Sequence, residues 1–194
     1  MNSRQKFYLN NMSCWGGDLR NHRLKRTSRW LSSRKYHHIV FKVNKRVHPT
    51  SLRTKKTRSI CQHVIKSYAK RFNVRVTSVS IQFDHIHLLI KSNRKINYQS
   101  FFRVVAGQIA QRVTDTFHCV KHKESFWSHR PFSRILCTRK SYIIAKAYIH
   151  LNELEARKII PYQIYRLKRA TPKLWRILNV DPEIIQWRFV TDTP

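Results

Sequence analysis

Acidic residues are scarce in this chain. Its 194 residues include nine Asp or Glu against forty Lys or Arg, which gives a formal net charge of +31 at pH 7. Such an excess of one sign destabilises a compact chain by self-repulsion unless an anionic partner neutralises it. Nucleic acid is the first candidate for that partner, and an anionic membrane surface is the second. No small-molecule substrate is expected.

Long apolar runs are also missing. No stretch approaches the roughly eighteen consecutive apolar residues of a membrane-spanning helix, and the N-terminus lacks the hydrophobic segment of a signal peptide. We therefore expect no membrane partner and no secretion. The expected location is the cytoplasm, in association with the nucleoid.

Closely spaced cysteine pairs are absent as well. The four cysteines never form a C-x-x-C pair, which argues against a zinc ribbon and against a disulfide framework. We expect reduced, mostly structural thiols at Cys14, Cys61, Cys119 and Cys137.

The composition otherwise fits one folded domain with extensions, because 41% of the residues are hydrophobic. We predict a basic N-terminal arm at 1–34, a central domain at 35–160 and a basic, aromatic tail at 161–194 that packs back on the domain. The arm is either a solvated tail or a segment that orders on nucleic acid, and its interleaved tryptophans favour the second. Its predicted DNA-binding residues are Arg20, Arg23, Lys25, Arg26, Arg29, Trp30 and Arg34.

The periodicity of the apolar residues predicts an α+β fold. Runs of β-branched and aromatic residues predict the strands, and apolar residues that recur at i, i+4 and i+8 predict the helices. The order is β-α-β-β-α-β, the split βαβ arrangement of ferredoxin-like and RRM-like folds, with an antiparallel sheet and helices on one face. The predicted elements are strand 36–43, helix 57–72, strands 74–82 and 85–91, helix 98–117, a short strand within 126–136 and a last helix at 139–159.

A glycine interrupts the second predicted helix. Gly107 costs stability there, so we expect close backbone packing or contact with a ligand at this position.

Two histidines on the strand 85–91 carry the first chemical signal. The parity of the apolar residues changes near Phe83, which predicts a turn there and a second strand that buries Ile86, Leu88 and Ile90. His85 and His87 then share the opposite face, because residues i and i+2 of a strand point to the same side. By the same rule His37 and His38 point to opposite faces, so we interpret both as structural.

A tyrosine and an amide on the last helix carry the second signal. Tyr148 and Asn152 are at i and i+4, so they share one face of the helix. His150 lies about 200° around the helix from Tyr148 and is not an expected ligand. A hydroxyl nucleophile beside a polarising cation is the usual logic of phosphodiester cleavage. Asn152 is either a third metal ligand or a surface amide.

At this point the sequence resembles the single-tyrosine HUH transposases, particularly the REP-associated tyrosine transposases and their insertion-sequence relatives. The string Asp-His-Ile-His-Leu-Leu at 84–89 matches that family's histidine–hydrophobe–histidine motif. Residues 147–152 are similar to its tyrosine motif, which often continues Pro-Val-Arg-Ala. Here Glu153 and Glu155 replace the proline and the basic residue, which puts local DNA contacts in doubt.

The resemblance implies transesterification on single-stranded or hairpin DNA. Tyr148, on a catalytic helix, would form a 5′-phosphotyrosine beside a divalent cation, Mg²⁺ or Mn²⁺. His85, His87 and Asn152 would hold that cation. Arg130 and Arg134, in the segment before that helix, are further predicted DNA contacts. A homodimer is left open. The alternatives are a non-catalytic binder of single-stranded DNA or RNA and a domesticated, inactive relative of the transposases.

Overall fold

The fold is built around an antiparallel sheet. The computed structural model describes residues 15–16, 30–46, 48–49, 51–115 and 125–180. Within these ranges the sheet has five strands in the order β1-β5-β2-β4-β3, and every neighbouring pair is antiparallel. The strands are β1 (Trp15–Gly16), β2 (Tyr36–Lys42), β3 (Arg75–Ile81), β4 (His85–Lys91) and β5 (Phe132–Leu136).

The helices alternate with the strands as predicted, and the α+β, split βαβ fold is confirmed. They are α1 (Lys55–Arg71), α2 (Lys95–Thr114), α3 (Arg139–Ala156), a 3-10 turn at Arg166–Arg169 and α4 (Pro172–Ile177). None of the helices in the described ranges is long and apolar enough to cross a membrane.

The helix ends differ from the predicted ones by a few residues, for local reasons. Helix α1 starts earlier because the Thr54 hydroxyl accepts a hydrogen bond from the Thr57 N–H and caps it. Helix α2 ends earlier because Asp115 adopts a left-handed conformation with φ of 58°. Helix α3 starts at the predicted residue behind a capping box formed by Thr138 and Ser141.

The main core lies between the sheet and the pair α1 and α2. Strand β4 buries Ile86, Leu88 and Ile90 on this side, as predicted. His37 of β2 points into the same core, where its Nε2 accepts a hydrogen bond from the Ser32 N–H. The structural interpretation of His37 is therefore confirmed.

Helix α3 covers the other face of the sheet. Ile149 and Ala145 pack there against Leu89 of β4 and Leu136 of β5. The outer side of α3 is covered in turn by the chain that follows it. A second apolar cluster joins α3 to the 3-10 turn and α4, and its buried members are Ala147, Leu151, Leu167, Leu174, Trp175 and Leu178. The described part of the C-terminal segment thus packs back on the domain.

The expectation of close packing at Gly107 is wrong. The residue is exposed in the middle of α2, and a Cβ placed on it would have no neighbouring heavy atom within 4 Å. The helix backbone therefore gains nothing from glycine here.

We expect Gly107→Ala to stabilise the protein by about 0.5–1 kcal/mol, because alanine loses less backbone entropy than glycine in a helix. Urea unfolding followed by circular dichroism would measure the change. A matched change at another exposed site of α2, Arg103→Ala, should alter the free energy of unfolding by less than this. Destabilisation by Gly107→Ala would contradict the open space around the Cβ.

Candidate active site

The face of β4 that points towards α3 carries two imidazoles. The ring centroids of His85 and His87 are 4.7 Å apart, and the rings are nearly perpendicular. His87 is buried, whereas His85 keeps about a third of its side chain exposed. The site is therefore closed on one side and open to solvent on the other.

Each imidazole is held through Nδ1. The Nδ1 of His85 lies 2.6 Å from a carboxylate oxygen of Asp84, and the Nδ1 of His87 lies 3.0 Å from Nε2 of His38. Among the described residues, none forms a hydrogen bond with the buried Nε2 of His87. Metal-binding histidines are usually fixed in this way by a partner on the other ring nitrogen.

His38 thus contacts the candidate site, which its interpretation as a structural residue did not anticipate. It is one strand away from His87, and its ring stacks on that of His87 with centroids 5.2 Å apart. The alternation rule correctly separated His38 from His37. It did not show that the antiparallel register of β2 and β4 would place His38 diagonally across from His87.

Burial keeps the imidazoles of His38 and His87 neutral near pH 7. It lowers the pKa of His38 to about 4, with a further contribution from the positive charge of Arg134. It also lowers the pKa of His87 far below its ordinary value, assisted by the positive charges that His38, His85 and Arg166 can carry. A neutral imidazole is the form that can donate a lone pair to a metal.

Helix α3 places Tyr148 opposite His87, and Asn152 follows one turn later on the same helix. The ring centroid of Tyr148 is 5.5 Å from that of His87 and 6.3 Å from that of His38. Asn152 is buried, and its Nδ2 donates to the backbone carbonyl of Tyr148 at 2.7 Å. Gln82, in the turn before β4, donates to the backbone carbonyl of Asn152 at 2.8 Å and so ties the helix to the histidine strand.

An arginine from beyond α3 completes the site. One terminal nitrogen of Arg166 donates to the amide oxygen of Asn152, and the other lies 2.6 Å from a carboxylate oxygen of Glu155. Its guanidinium carbon is 5.3 Å from the centroid of the Tyr148 ring. Burial acts to lower the pKa of Arg166, but hydrogen bonds and charge interactions with Glu155 and Tyr148 outweigh it and raise the pKa.

The donor set fits a divalent cation only if an amide oxygen takes part. In the described part of the chain no group of three or more His, Cys, Asp and Glu side chains is placed to hold a metal. The remaining ring nitrogens of His85 and His87 are candidate ligand atoms, and the Oδ1 of Asn152 can join them only if Arg166 releases it. The partnerless, buried Nε2 of His87 supports the fit.

The comparisons with known proteins decide the family. The family model described as "Transposase IS200 like" matches residues 31–152, which include both histidines, Tyr148 and Asn152. The chain belongs to the IS200-like transposase family. None of the curated proteins matches the chain.

Solved structures resemble this IS200-like transposase in fold. A REP-associated tyrosine transposase bound to a REP hairpin superposes with a TM-score of 0.54 at 13% identity, over 68% of this chain and 74% of the other. A protein from Deinococcus radiodurans R1, described as a candidate transposase, gives a TM-score of 0.43 at 13% identity, over 67% of this chain and 98% of the other.

The two carboxylates that replace the usual motif residues of the transposase are paired with arginines. Glu153 forms ion pairs with Arg58 of α1 and with Arg157, the latter at 2.8 Å. Glu155 pairs with Arg166 and also accepts the backbone N–H of Gln163 at 2.8 Å. Arg166 was not predicted as a site residue from the sequence. The carboxylate at position 155 was a signal that a cationic partner was needed, but it did not show which residue that partner would be.

The predicted DNA contacts are only partly described. Arg134 lies opposite His38 in the register of β2 and β5, so it is on the histidine face of the sheet. Trp30, Arg34 and Arg130 are exposed, which suits a surface contact but does not place them at the site. Five predicted residues of the arm lie outside the described residues: Arg20, Arg23, Lys25, Arg26 and Arg29.

The low pKa of His38 predicts acid sensitivity. The pKa of the group is about 4 in the folded protein and near 6.5 when unfolded, so the unfolded chain binds more protons between these values. Stability should be fully present above pH 6.5 and fall as the pH drops towards 4. Each such histidine contributes a slope of up to about 1.4 kcal/mol per pH unit.

Replacement of His38 by Gln removes one titrating group while keeping a polar partner for His87. We expect a shallower loss of stability between pH 6.5 and 4, measured by urea unfolding at a series of pH values. His63→Gln on the exposed side of α1 is the matched control and should leave the slope unchanged. Equal slopes for His38→Gln and the unaltered protein would contradict the burial argument.

Proposed function

We propose that this transposase cleaves and rejoins single-stranded, hairpin-flanked DNA through a 5′-phosphotyrosine on Tyr148. The observation that carries the proposal is the position of Tyr148, whose ring lies 5.5 Å from that of a buried histidine with a partnerless Nε2. A nucleophile and a candidate metal ligand therefore face each other across α3 and β4.

A divalent cation, Mg²⁺ or Mn²⁺, is part of the proposal. His85, His87 and Asn152 would hold it, with Mn²⁺ better matched to two imidazoles. When bound it would polarise the scissile phosphate and offset the charge on its oxygens. Asp84 and His38 keep both rings oriented, and Arg166 must release the Asn152 amide oxygen for that atom to act as a ligand.

The covalent step exchanges one phosphodiester for another. The Tyr148 oxygen attacks phosphorus, a bond forms between them, and the bond from phosphorus to the 3′ oxygen breaks. The phenol proton leaves to solvent, and the departing 3′ oxygen takes up a proton to become a hydroxyl. Because the new bond is also a phosphate ester, attack by another 3′ hydroxyl reverses the step without ATP.

The DNA substrate is supported by charge and by a relative. The net charge of +31 suits a polyanion, and the structurally similar REP-associated transposase is bound to a REP hairpin. In this proposal the arm at 1–34 and residues Arg130 and Arg134 contact DNA, the domain at 35–160 carries the chemistry, and the tail at 161–194 covers the catalytic helix. Chromosomal DNA would be its cellular partner.

We expect Tyr148→Phe to abolish a covalent DNA adduct without unfolding the protein. The substitution removes one oxygen and keeps the ring that packs beside His87 and Arg166. The assay incubates labelled single-stranded hairpin DNA with protein and Mn²⁺ and detects the adduct on a denaturing gel. Mass spectrometry should place the nucleotide on Tyr148.

Tyr142→Phe is the matched control on the same helix. The Tyr142 ring packs on that of Tyr36, with the centroids 4.5 Å apart. The Tyr142→Phe variant should therefore still form the adduct on Tyr148. An adduct that survives in Tyr148→Phe would refute the assignment. DNA binding without any adduct in the unaltered protein would favour the non-catalytic binder.

The proposed metal ligands also predict that a histidine substitution weakens Mn²⁺ binding. His87→Ala should lower Mn²⁺ affinity at least about tenfold in calorimetric titration, since ligands and even their outer partners carry effects of this size. Hairpin binding in low salt should persist, because it rests on the basic surface. His63→Ala should leave Mn²⁺ affinity unchanged, and unchanged affinity in His87→Ala would remove the histidines from the metal site.

A further inference from the structure

A positively charged side chain reaches the candidate nucleophile from outside the family match. The match ends at residue 152, whereas Arg166 comes from the segment after α3. Its guanidinium nevertheless contacts both functional residues of that helix, through the Asn152 amide oxygen and the Tyr148 ring.

The position of Arg166 is fixed from several sides. Glu155 is 8% exposed in its side chain and pairs with one terminal nitrogen of the guanidinium. The backbone of Arg166 is left-handed with φ of 53°, an uncommon conformation for a residue other than glycine. The next residue, Leu167, is buried against α3. A strained backbone held by a buried ion pair and an apolar anchor is typical of a functional position.

We propose that Arg166 is a catalytic residue that binds the non-bridging oxygens of the scissile phosphate while Tyr148 attacks it. This inference rests on the proposed function and adds a residue to it. Arg166 would remain protonated throughout and would transfer no proton. It would offset the negative charge that grows on the phosphate oxygens as the bond to Tyr148 forms and the bond to the 3′ oxygen breaks.

The chemistry of guanidinium supports phosphate as the ligand. Arginine offers a planar fork of donors that matches two phosphate oxygens, and it remains charged even when half-buried. One terminal nitrogen of Arg166 donates to Glu155 at 2.6 Å. The other terminal nitrogen donates to the Asn152 amide oxygen, and it can bind a phosphate oxygen once that amide takes another partner.

The charge beside Tyr148 supports the same assignment. In the described part of the chain, Arg166 is the charged side chain whose guanidinium lies over the Tyr148 ring, with 5.3 Å between the guanidinium carbon and the ring centroid. An anion that enters beside Tyr148 meets this guanidinium first.

A blocking role makes the opposite prediction. If Arg166 only held Asn152 away from a metal, its removal would tighten Mn²⁺ binding and accelerate the reaction. If it binds phosphate, its removal slows the covalent step even when Mn²⁺ and DNA are saturating. The two roles are separated by the direction of the change.

The test compares Arg166→Ala and Arg166→Lys with Arg169→Ala in the full chain. Arg169 is on the same 3-10 turn, but its guanidinium lies over the Tyr165 ring at 4.1 Å. With saturating hairpin DNA and Mn²⁺, we expect Arg166→Ala to form the Tyr148 adduct about 100- to 1,000-fold more slowly. Arg166→Lys should recover little of this because it lacks the fork, and Arg169→Ala should react normally.

A neutral substrate distinguishes phosphate binding from a structural effect. A methylphosphonate at the scissile position removes the charge that Arg166 would bind, so Arg166→Ala and the unaltered protein should react with it at similar rates. The proposal would be overturned if Arg166→Ala lost the same factor in reaction rate on phosphate and on methylphosphonate. It would also be overturned if Arg166→Ala reacted on phosphate as fast as the unaltered protein, or faster. Absence of any adduct with the unaltered protein would instead overturn the proposed function and this inference together.

Discussion

The site depends on strand β4 being covered on both faces. It is hydrogen-bonded to β2 on one side and to β3 on the other, so its register cannot slip without the loss of two ladders. One face supplies Ile86, Leu88 and Ile90 to the main core. The alternate residues His85 and His87 are then fixed on the other face, because a slip by one residue would bury the imidazoles in the apolar core.

That second face has to be covered as well, and this requirement positions Tyr148, the proposed nucleophile. Leu89 is fully buried beneath Ile149 of α3, immediately beside the histidines. The same packing places Tyr148 above His87. The outer side of α3 is apolar too, and Leu167 and Trp175 of the following segment bury it. Arg166 and Leu167 are adjacent in sequence. The packing of Leu167 on α3 therefore also places Arg166 beside Asn152.

Local and periodic rules predicted the parts of this arrangement that lie within one element. The parity change near Phe83 predicted the turn and the face of β4 that carries the histidines, and the i, i+4 rule placed Tyr148 and Asn152 on one face of α3. The same rules could not predict contacts that depend on strand register or tertiary packing. His38 reaches His87 only because β2 and β4 pair in one register, and Arg166 reaches Asn152 only because the C-terminal segment folds back.

The charge around the site constrains how a cation could enter it. The candidate ligands are two imidazoles and one amide oxygen, with no carboxylate among them, while Arg134 lies on the same face of the sheet and Arg166 holds the amide oxygen. A divalent cation alone would therefore meet repulsion from the guanidinium that holds Asn152. A phosphate that arrives with the cation removes this opposition, since it offers an anionic partner to the cation and to Arg166 at once. Linkage then requires DNA to tighten metal binding by the same factor by which metal tightens DNA binding. The proposed site would then be assembled mainly by its substrate, and the reactivity proposed for Tyr148 would be confined to the DNA-bound state.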